Sequence, residues 1–385
     1  MKEVQAIIEA FNRDNRINAL ATVIEVRGST YRRPGARMLM TQSGYIGSIS
    51  GGCLEADVFE HAQQVMALGE PIVVKYDTTS PDDIVWGLGL GCNGLVRVFI
   101  ERLTPQKRSH SVAFLAECYQ GQQMGVLATV VRGADLVLGT HLMLQQDGEV
   151  RNYIKDSALA AKVLEDARAA LRNNRSILKL YPLPGGEAEV FIEAIQPPVP
   201  LAIFGAGHDA VPVVNFAKAL GWHVTVVDSR PAYATKERFP SADAIVLARP
   251  EQVRDRIPLD SRTVAVVMTH NYLHDQALLQ TLLPSPLRYL GILGPKSRTE
   301  RLLEELRGAG ILFTPEQLCR LYGPVGIDIG ADTPEAIALS IVAEIQAVLA
   351  NREGGLLRNR KGAIHSRSES LPSQELCCLP THLHT

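Results

Sequence analysis

Ala202-Ile203-Phe204-Gly205-Ala206-Gly207-His208-Asp209-Ala210 decides how the second half of the chain is read. An apolar run enters a glycine turn and then a helical stretch that Gly221 is placed to end. That is the strand–turn–helix of a dinucleotide fingerprint, with alanine in the third glycine position. Such a turn aims helix N-terminal amides at a pyrophosphate, which makes Gly205, Gly207 and His208 candidate contacts. The next apolar run, Val224-Thr225-Val226-Val227, ends in Asp228-Ser229-Arg230. An acid at the place of Asp228 accepts hydrogen bonds from a ribose diol. The duller reading is a doubly wound domain that has lost its ligand.

Working outward, short apolar runs recur at 201–204, 224–227, 244–247, 264–268 and 289–293, with helical segments between several of them. The alternation predicts an α/β domain with a Rossmann-like, doubly wound parallel sheet. Sheets of this kind bind ligands at the carboxyl ends of their strands. This singles out His270 and Asn271 after the fourth run and Lys296, Ser297 and Arg298 after the fifth. Two cations, a hydroxyl and a helix start suit a phosphate, while His270 reads equally well as a cap on the following helix. Ser297 to Glu300 fits a capping box. Asp332-Thr333-Pro334-Glu335 opens another helix, which runs toward Asn351.

Gln196-Pro197-Pro198-Val199-Pro200 divides the chain, because proline removes donors and forces extended backbone. The division expected is a mixed α/β domain over 1–196, the Rossmann-like domain over 197–351, and a polar, serine-rich disordered tail over 352–385. In the first half, strands are expected at 21–26, 37–40, 71–76, 95–100 and 125–131, and helices at 54–68 and 157–172. No internal repeat is evident. Two of the six cysteines lie in glycine-dense turns, Ser50-Gly51-Gly52-Cys53-Leu54-Glu55 and Gly89-Leu90-Gly91-Cys92-Asn93-Gly94. Glycine there lets a large ligand approach the main chain. Cys53 precedes a helix whose N-terminus favours the thiolate, and the loop at Cys92 can gather backbone amides into an anion-binding nest. Thiolates suit soft metal centres, so Cys53 and Cys92 are candidate ligands, although two cysteines are too few for zinc. Buried structural thiols are the bland alternative. Nearby, Arg27, Ser29 and Arg32, with Arg33 and Arg37, form a loop whose guanidinium forks suit phosphate or carboxylate; a solvated basic loop competes. Cys118 and Cys319 lie in amphipathic helical stretches and are expected to pack. Cys377 and Cys378, near His382 and His384, receive no role.

The length of 385 residues allows two or three domains. With 39 basic and 41 acidic residues the net charge is −2, too weak a field to hold a polyanion, so nucleic acid is not an expected partner. No window approaches a membrane span. The charged, amphipathic N-terminus lacks the apolar stretch of a signal peptide, and the cysteine spacing fits a reducing compartment. A soluble, cytoplasmic protein is expected.

Several blocks occur together in order: Val26 to Gly35, Gly47 to Glu55, Gly89 to Gly94, Phe204 to His208, Met268 to Asn271, Tyr289 to Gly294 and Gly323 to Ala331. With these the chain resembles the XdhC/CoxI family of molybdenum-cofactor accessory proteins. The resemblance implies a chaperone that binds and shields the molybdenum cofactor (molybdopterin) and delivers its sulfurated form to xanthine dehydrogenase or a related molybdenum hydroxylase. On that basis Gly51, Gly52, Cys53, Glu55, Gly91 and Cys92 would contact the cofactor, with Cys53 and Cys92 at the metal. Arg27, Ser29, Arg32, Lys296, Ser297 and Arg298 would hold phosphates. The Gly205 turn, Asp228, His270, Asn271 and Asp328 would take a nucleotide part. A cysteine desulfurase as sulfur donor and a homodimeric state are further expectations. Asp209-Ala210 departs from the small, glycine-containing continuation usual after the turn, which bears on close pyrophosphate approach. The runner-up is an oxidoreductase dependent on NAD(P) or another nucleotide; a third reading is a scaffold that brings a sulfur donor to the hydroxylase.

Overall fold

The computed structural model describes residues 2–28, 30–42, 44–77, 94–104 and 109–361. Two compact units form, Met1–Pro198 and Val199–Thr385.

The first unit uses one pattern twice. The first copy runs α1 (Lys2–Arg13), β1 (Asn18–Gly28), β2 (Arg37–Thr41), β3 (Gly44–Gly47), α2 (Glu55–Leu68), β4 (Ile72–Asp77), β5 (Gly94–Leu103). The second runs α3 (His110–Gln120), β6 (Gly125–Arg132), β7 (His141–Gln145), β8 (Val150–Asn152), α4 (Ser157–Asn173), β9 (Ile177–Leu183), β10 (Gly186–Ile195). Each copy makes a five-stranded antiparallel sheet, in the orders β3-β2-β1-β5-β4 and β8-β7-β6-β10-β9. The expectation of no internal repeat is therefore corrected. The signal was present, since Leu20-Ala21-Thr22-Val23 returns as Leu127-Ala128-Thr129-Val130 and Arg27-Gly28 as Arg132-Gly133.

Both faces of β1 are covered, which is why it reads as a near-continuous apolar run rather than an alternation. Ala19, Ala21 and Val23 pack with Val58, Ala62 and Val65 of α2. In the second copy Val126, Ala128 and Val130 pack with Leu159, Val163 and Ala167 of α4. The opposite face of each sheet meets the other copy. There the register places Leu20 opposite Glu101 and Thr22 opposite both Phe99 and Arg37, and it places Leu127 opposite Glu193 and Thr129 opposite both Phe191 and His141. Leu20, Thr22, Phe99, Glu101, Leu127, Thr129, Phe191 and Glu193, with Arg37, line one internal cavity. Reciprocal pairs cross it. The guanidinium of Arg37 is bidentate on Glu193, with Nη1 to Oε1 at 2.8 Å, and His141 Nε2 lies 3.5 Å from Glu101 Oε2. The arrangement is that of a two-fold dimer interface built within one chain.

The second unit comprises β11 (Pro200–Phe204), α5 (Ala210–Ala219), β12 (His223–Asp228), β13 (Ala244–Leu247), α6 (Val253–Arg256), β14 (Val264–Val267), α7 (Tyr272–Leu282), β15 (Tyr289–Ile292), α8 (Lys296–Gly308), α9 (Pro315–Leu318), β16 (Leu321–Tyr322) and α10 (Pro334–Leu349). Its six strands are parallel in the order β13-β12-β11-β14-β15-β16. This is a Rossmann sheet whose order reverses at β11 and β14, where such folds bind ligands. One core lies between the sheet and α5 with α10, and another between the sheet and α7 with α8. Thr333 caps α10 by accepting from the Ala336 amide at 3.2 Å, with Pro334 in the first turn, as the sequence anticipates.

Three local expectations change. Pro295 occupies the cap position of α8, so Ser297 lies within the first turn and forms no capping box. Helix α2 begins at Glu55, with Leu54 as its cap residue. Cys118 packs in α3, 3% exposed, and burial pushes its thiol up to about 12. Cys319, by contrast, is exposed at the end of the four-residue α9 and is disulfide-bonded. Of the tail, residues 352–361 include a short 3-10 turn, Leu357–Asn359; residues 362–385, with Cys377, Cys378, His382 and His384, lie outside the described residues. Among the described residues no helix is long and apolar enough to cross a membrane.

Candidate functional site

The turn before α2 is built by two side chains. Ser50 Oγ lies 3.1 Å from each of the Gly52, Cys53 and Leu54 amides and donates to the Glu55 carboxylate. Glu55 Oε1 accepts from the Ser50 amide at 2.8 Å and the Ile49 amide at 3.3 Å, and Oε2 accepts from the Leu54 amide at 3.2 Å. Burial would raise the Glu55 pKa, but the Ser50 hydroxyl and these amides outweigh it and hold the carboxylate below its usual range. Glu55 is 3% exposed and committed to the turn's own backbone. Gly51 and Gly52 are left exposed and Cys53 half-buried, a free thiol.

Tyr31, from the β1–β2 loop, joins this surface. Its ring is 72% exposed, and the Cβ that Gly51 lacks would stand 3.8 Å from its Cγ. Three of the arginines in and beside this loop are already paired: Arg27 Nε with Glu25 at 2.7 Å, Arg32 with Glu3, and Arg37 with Glu193. Arg33 remains exposed. Tyr31 was not singled out from sequence, although it stands inside the Val26–Gly35 block. Ser29, Gly91 and Cys92 lie outside the described residues.

Comparing the two copies separates what the fold needs from what it carries. The second copy joins β8 to α4 with 4 residues, ending in an ordinary Asp156 cap that accepts from the Leu159 amide, and β9 to β10 with 2 residues. The first copy uses 7 residues between β3 and α2, and 16 between β4 and β5. The two lengthened connections are the two that hold Cys53 and Cys92.

In the second unit a cleft opens at the carboxyl ends of β11, β12 and β14, with an empty volume of about 440 Å³. Gly205, Asp228, Ser229, Arg230, Thr269 and Asn271 line its polar side, and Ala248, Pro250, Val253 and Leu278 its apolar side. Gly205 has φ +115°, and a Cβ there would fall on the Met268 carbonyl, so this close approach requires glycine. Asp228, 7% exposed, accepts four hydrogen bonds: from the Ala206 amide at 2.7 Å and from the Arg230 amide, Nε and Nη2 at 2.9, 2.9 and 2.7 Å. Burial alone would raise its pKa; Arg230 and the amides win and lower it. Asp209, the first residue past His208, points to His270, whose Nε2 lies 2.7 Å from its Oδ2. His270 takes φ +57° and Asn271 caps α7, accepting from the His274 amide at 3.1 Å. The helix-capping alternative considered for His270 thus belongs to its neighbour. Arg298 is turned inward onto the buried Asp275 at 2.6 Å, while Lys296 lies 3.7 Å from Glu300. His208, Ser297 and Asp328 are not buried.

The XdhC and CoxI family model matches residues 13–77 and 118–182, corresponding stretches of the two copies, each running from the leading helix into the fourth strand. The model of the XdhC Rossmann domain matches residues 201–345. The chain belongs to the XdhC and CoxI family. A Bacillus subtilis (strain 168) protein, described as a probable subunit of xanthine dehydrogenase, is 36% identical over 351 residues, covering 90% of this chain and 97% of that one. The Escherichia coli (strain K12) molybdenum cofactor insertion chaperone PaoD is 24% identical over 336 residues, 87% of this chain and 84% of its own. Among solved structures, a crystal structure described as a xanthine dehydrogenase from Bacillus halodurans superposes with a TM-score of 0.75 at 31% identity, covering 92% of this chain and 97% of that one. In this XdhC-family chain the Rossmann unit is thus a recurring part of the architecture.

Proposed function

We propose that this chain is a molybdenum-cofactor carrier that holds the cofactor on the first copy of the repeat and delivers its sulfurated form to xanthine dehydrogenase or a related molybdenum hydroxylase. The observation that carries the reading is the asymmetry between the copies: extra chain length occurs at the two cysteine-bearing connections, beyond what the duplicated fold needs. The names of the relatives agree in kind. The residues present fit the group. Cys53 offers a free, half-buried sulfur beside bare backbone at Gly51 and Gly52, Tyr31 offers a flat exposed ring for a pterin, and Arg33 an exposed fork for a phosphate. When bound, the cofactor supplies a soft metal centre bearing the sulfur that the target enzyme requires. Cys53 Sγ would hold that centre, and Ser50 with Glu55 keeps the turn in shape. A cysteine desulfurase would be the sulfur donor.

Cys53→Ser is expected to lower activation of apo-xanthine dehydrogenase by about tenfold or more, the loss of one strong ligand contact, with the circular dichroism and thermal midpoint of the carrier unchanged. Full activation by the variant would contradict the assignment.

A further inference from the structure

The cleft of the Rossmann unit departs from a dinucleotide site at the two places that recognise phosphate and ribose. In the usual arrangement the glycine-turn amides face a pyrophosphate, and the acid after the second strand faces a ribose diol. Here the Ala206 amide is taken by Asp228 Oδ2 at 2.7 Å. The space over Gly207 is filled by the Asp209 carboxylate, since a Cβ at Gly207 would overlap Asp209 Oδ1. Asp228 and Asp209 therefore take the amide and the space over the turn that a pyrophosphate would use. Asp228 also has no lone pair left for a diol, because its four acceptor positions are met by Ala206 and Arg230. Two cations stand beside these groups: Arg230, paired with Asp228, and Arg238, whose Nη2 donates to the Ala206 carbonyl at 3.3 Å. The Arg230 guanidinium stacks on Tyr233, 3.9 Å from the ring centroid, and the Arg238 guanidinium lies 4.9 Å from the same centroid. Ser229 and Arg230 line the cleft, with Ala248, Pro250 and Val253 as the apolar wall suited to a flat base.

We propose that this cleft binds a purine nucleotide through a phosphomonoester at the 2′ or 3′ position of its ribose, read by Arg230 with Ser229, rather than through a pyrophosphate on the glycine turn or a free ribose diol. The base lies against Ala248, Pro250 and Val253, and Tyr233 holds the Arg230 plane in place. Nothing in this requires hydride transfer, and it is independent of the carrier reading, which concerns the first unit.

Calorimetric titration of the full chain with adenosine 2′,5′-bisphosphate, adenosine 3′,5′-bisphosphate and 5′-AMP tests it. A charge-assisted fork on a phosphate corresponds to about tenfold or more in affinity, so at least one bisphosphate is expected to bind that much more tightly than 5′-AMP. Which bisphosphate wins identifies the ribose position. Arg230→Ala removes the fork and releases the Asp228 carboxylate, so the preference should vanish or reverse toward the free diol. If the variant fails to fold, the wild-type ratio decides alone. Equal or tighter binding of 5′-AMP, or no binding of any of the three, overturns the proposal. Because cofactor binding is measured separately, either activity can fail while the other survives.

Discussion

Glu193→Ala is expected to destabilise the first unit by about 3–5 kcal/mol, the cost of stranding a buried cation. Arg37 is 4% exposed and Glu193 8% by side chain, and the two bind as a bidentate fork between the copies. Burial disfavours the Arg37 charge, and the Glu193 carboxylate more than restores it. With the carboxylate removed, Arg37 keeps, among the described residues, only the Gly35 carbonyl at 2.9 Å, and its Nε has no partner there. Gly35 itself has room for no side chain, because a Cβ there would stand 2.8 Å from Glu193 Oε1. Replacing both partners, as Arg37→Met with Glu193→Leu, should cost far less, since no charge is left unpaired. Urea denaturation followed by circular dichroism, with hydrogen exchange locating the change in β2 and β10, measures both. A single substitution costing under about 1 kcal/mol would mean that the pair is solvated.

Gly205→Ala is the second large effect, about 2–5 kcal/mol on the Rossmann unit. A β-carbon at φ +115° carries backbone strain of about 1–2 kcal/mol. It would also collide with the Met268 carbonyl and stand 2.9 Å from Thr269 Cα, an overpacking of about 1–3 kcal/mol. The backbone cannot retreat. The Gly205 amide donates to the Val227 carbonyl at 2.9 Å, and the Met268 amide to the Phe204 carbonyl at 2.8 Å, so moving either strand breaks the other's bond. Loss of amide protection in β11 and β14, with β1 and β6 unaffected, is the expected signature. Protection equal to wild type would show that the turn opens without cost.

The Rossmann unit was legible because parallel strands are buried on both faces and appear as short apolar runs, punctuated by a glycine turn whose backbone leaves few choices. All five expected runs are strands, and the order reverses where the fingerprint stands. The first unit was harder to read. Its antiparallel strands are also covered on both sides, by a helix and by the other copy, so the period-two alternation that marks a half-buried strand is missing. The hairpin of β9 and β10 went unread, although Pro184-Gly185 between two strand-like runs marks a turn. The duplication was visible in the repeated Leu-Ala-Thr-Val, but its strongest evidence is pairing register, which only the folded chain displays. Site residues divide along the same line. Cys53 and Gly205 follow from local chain chemistry. The engagement of Glu55, Arg32, Arg298 and Asp228 with partners near and far depends on packing that spacing alone does not show.

Anaerobic equilibrium binding of purified molybdenum cofactor to the full chain, wild type beside Cys53→Ser and Tyr31→Ala, tests the central claim most directly. The account predicts saturable binding to the wild type, weakened about tenfold or more by Cys53→Ser and to a lesser degree by Tyr31→Ala, at unchanged thermal stability. Binding that is absent from the wild type, or indifferent to Cys53, would contradict it.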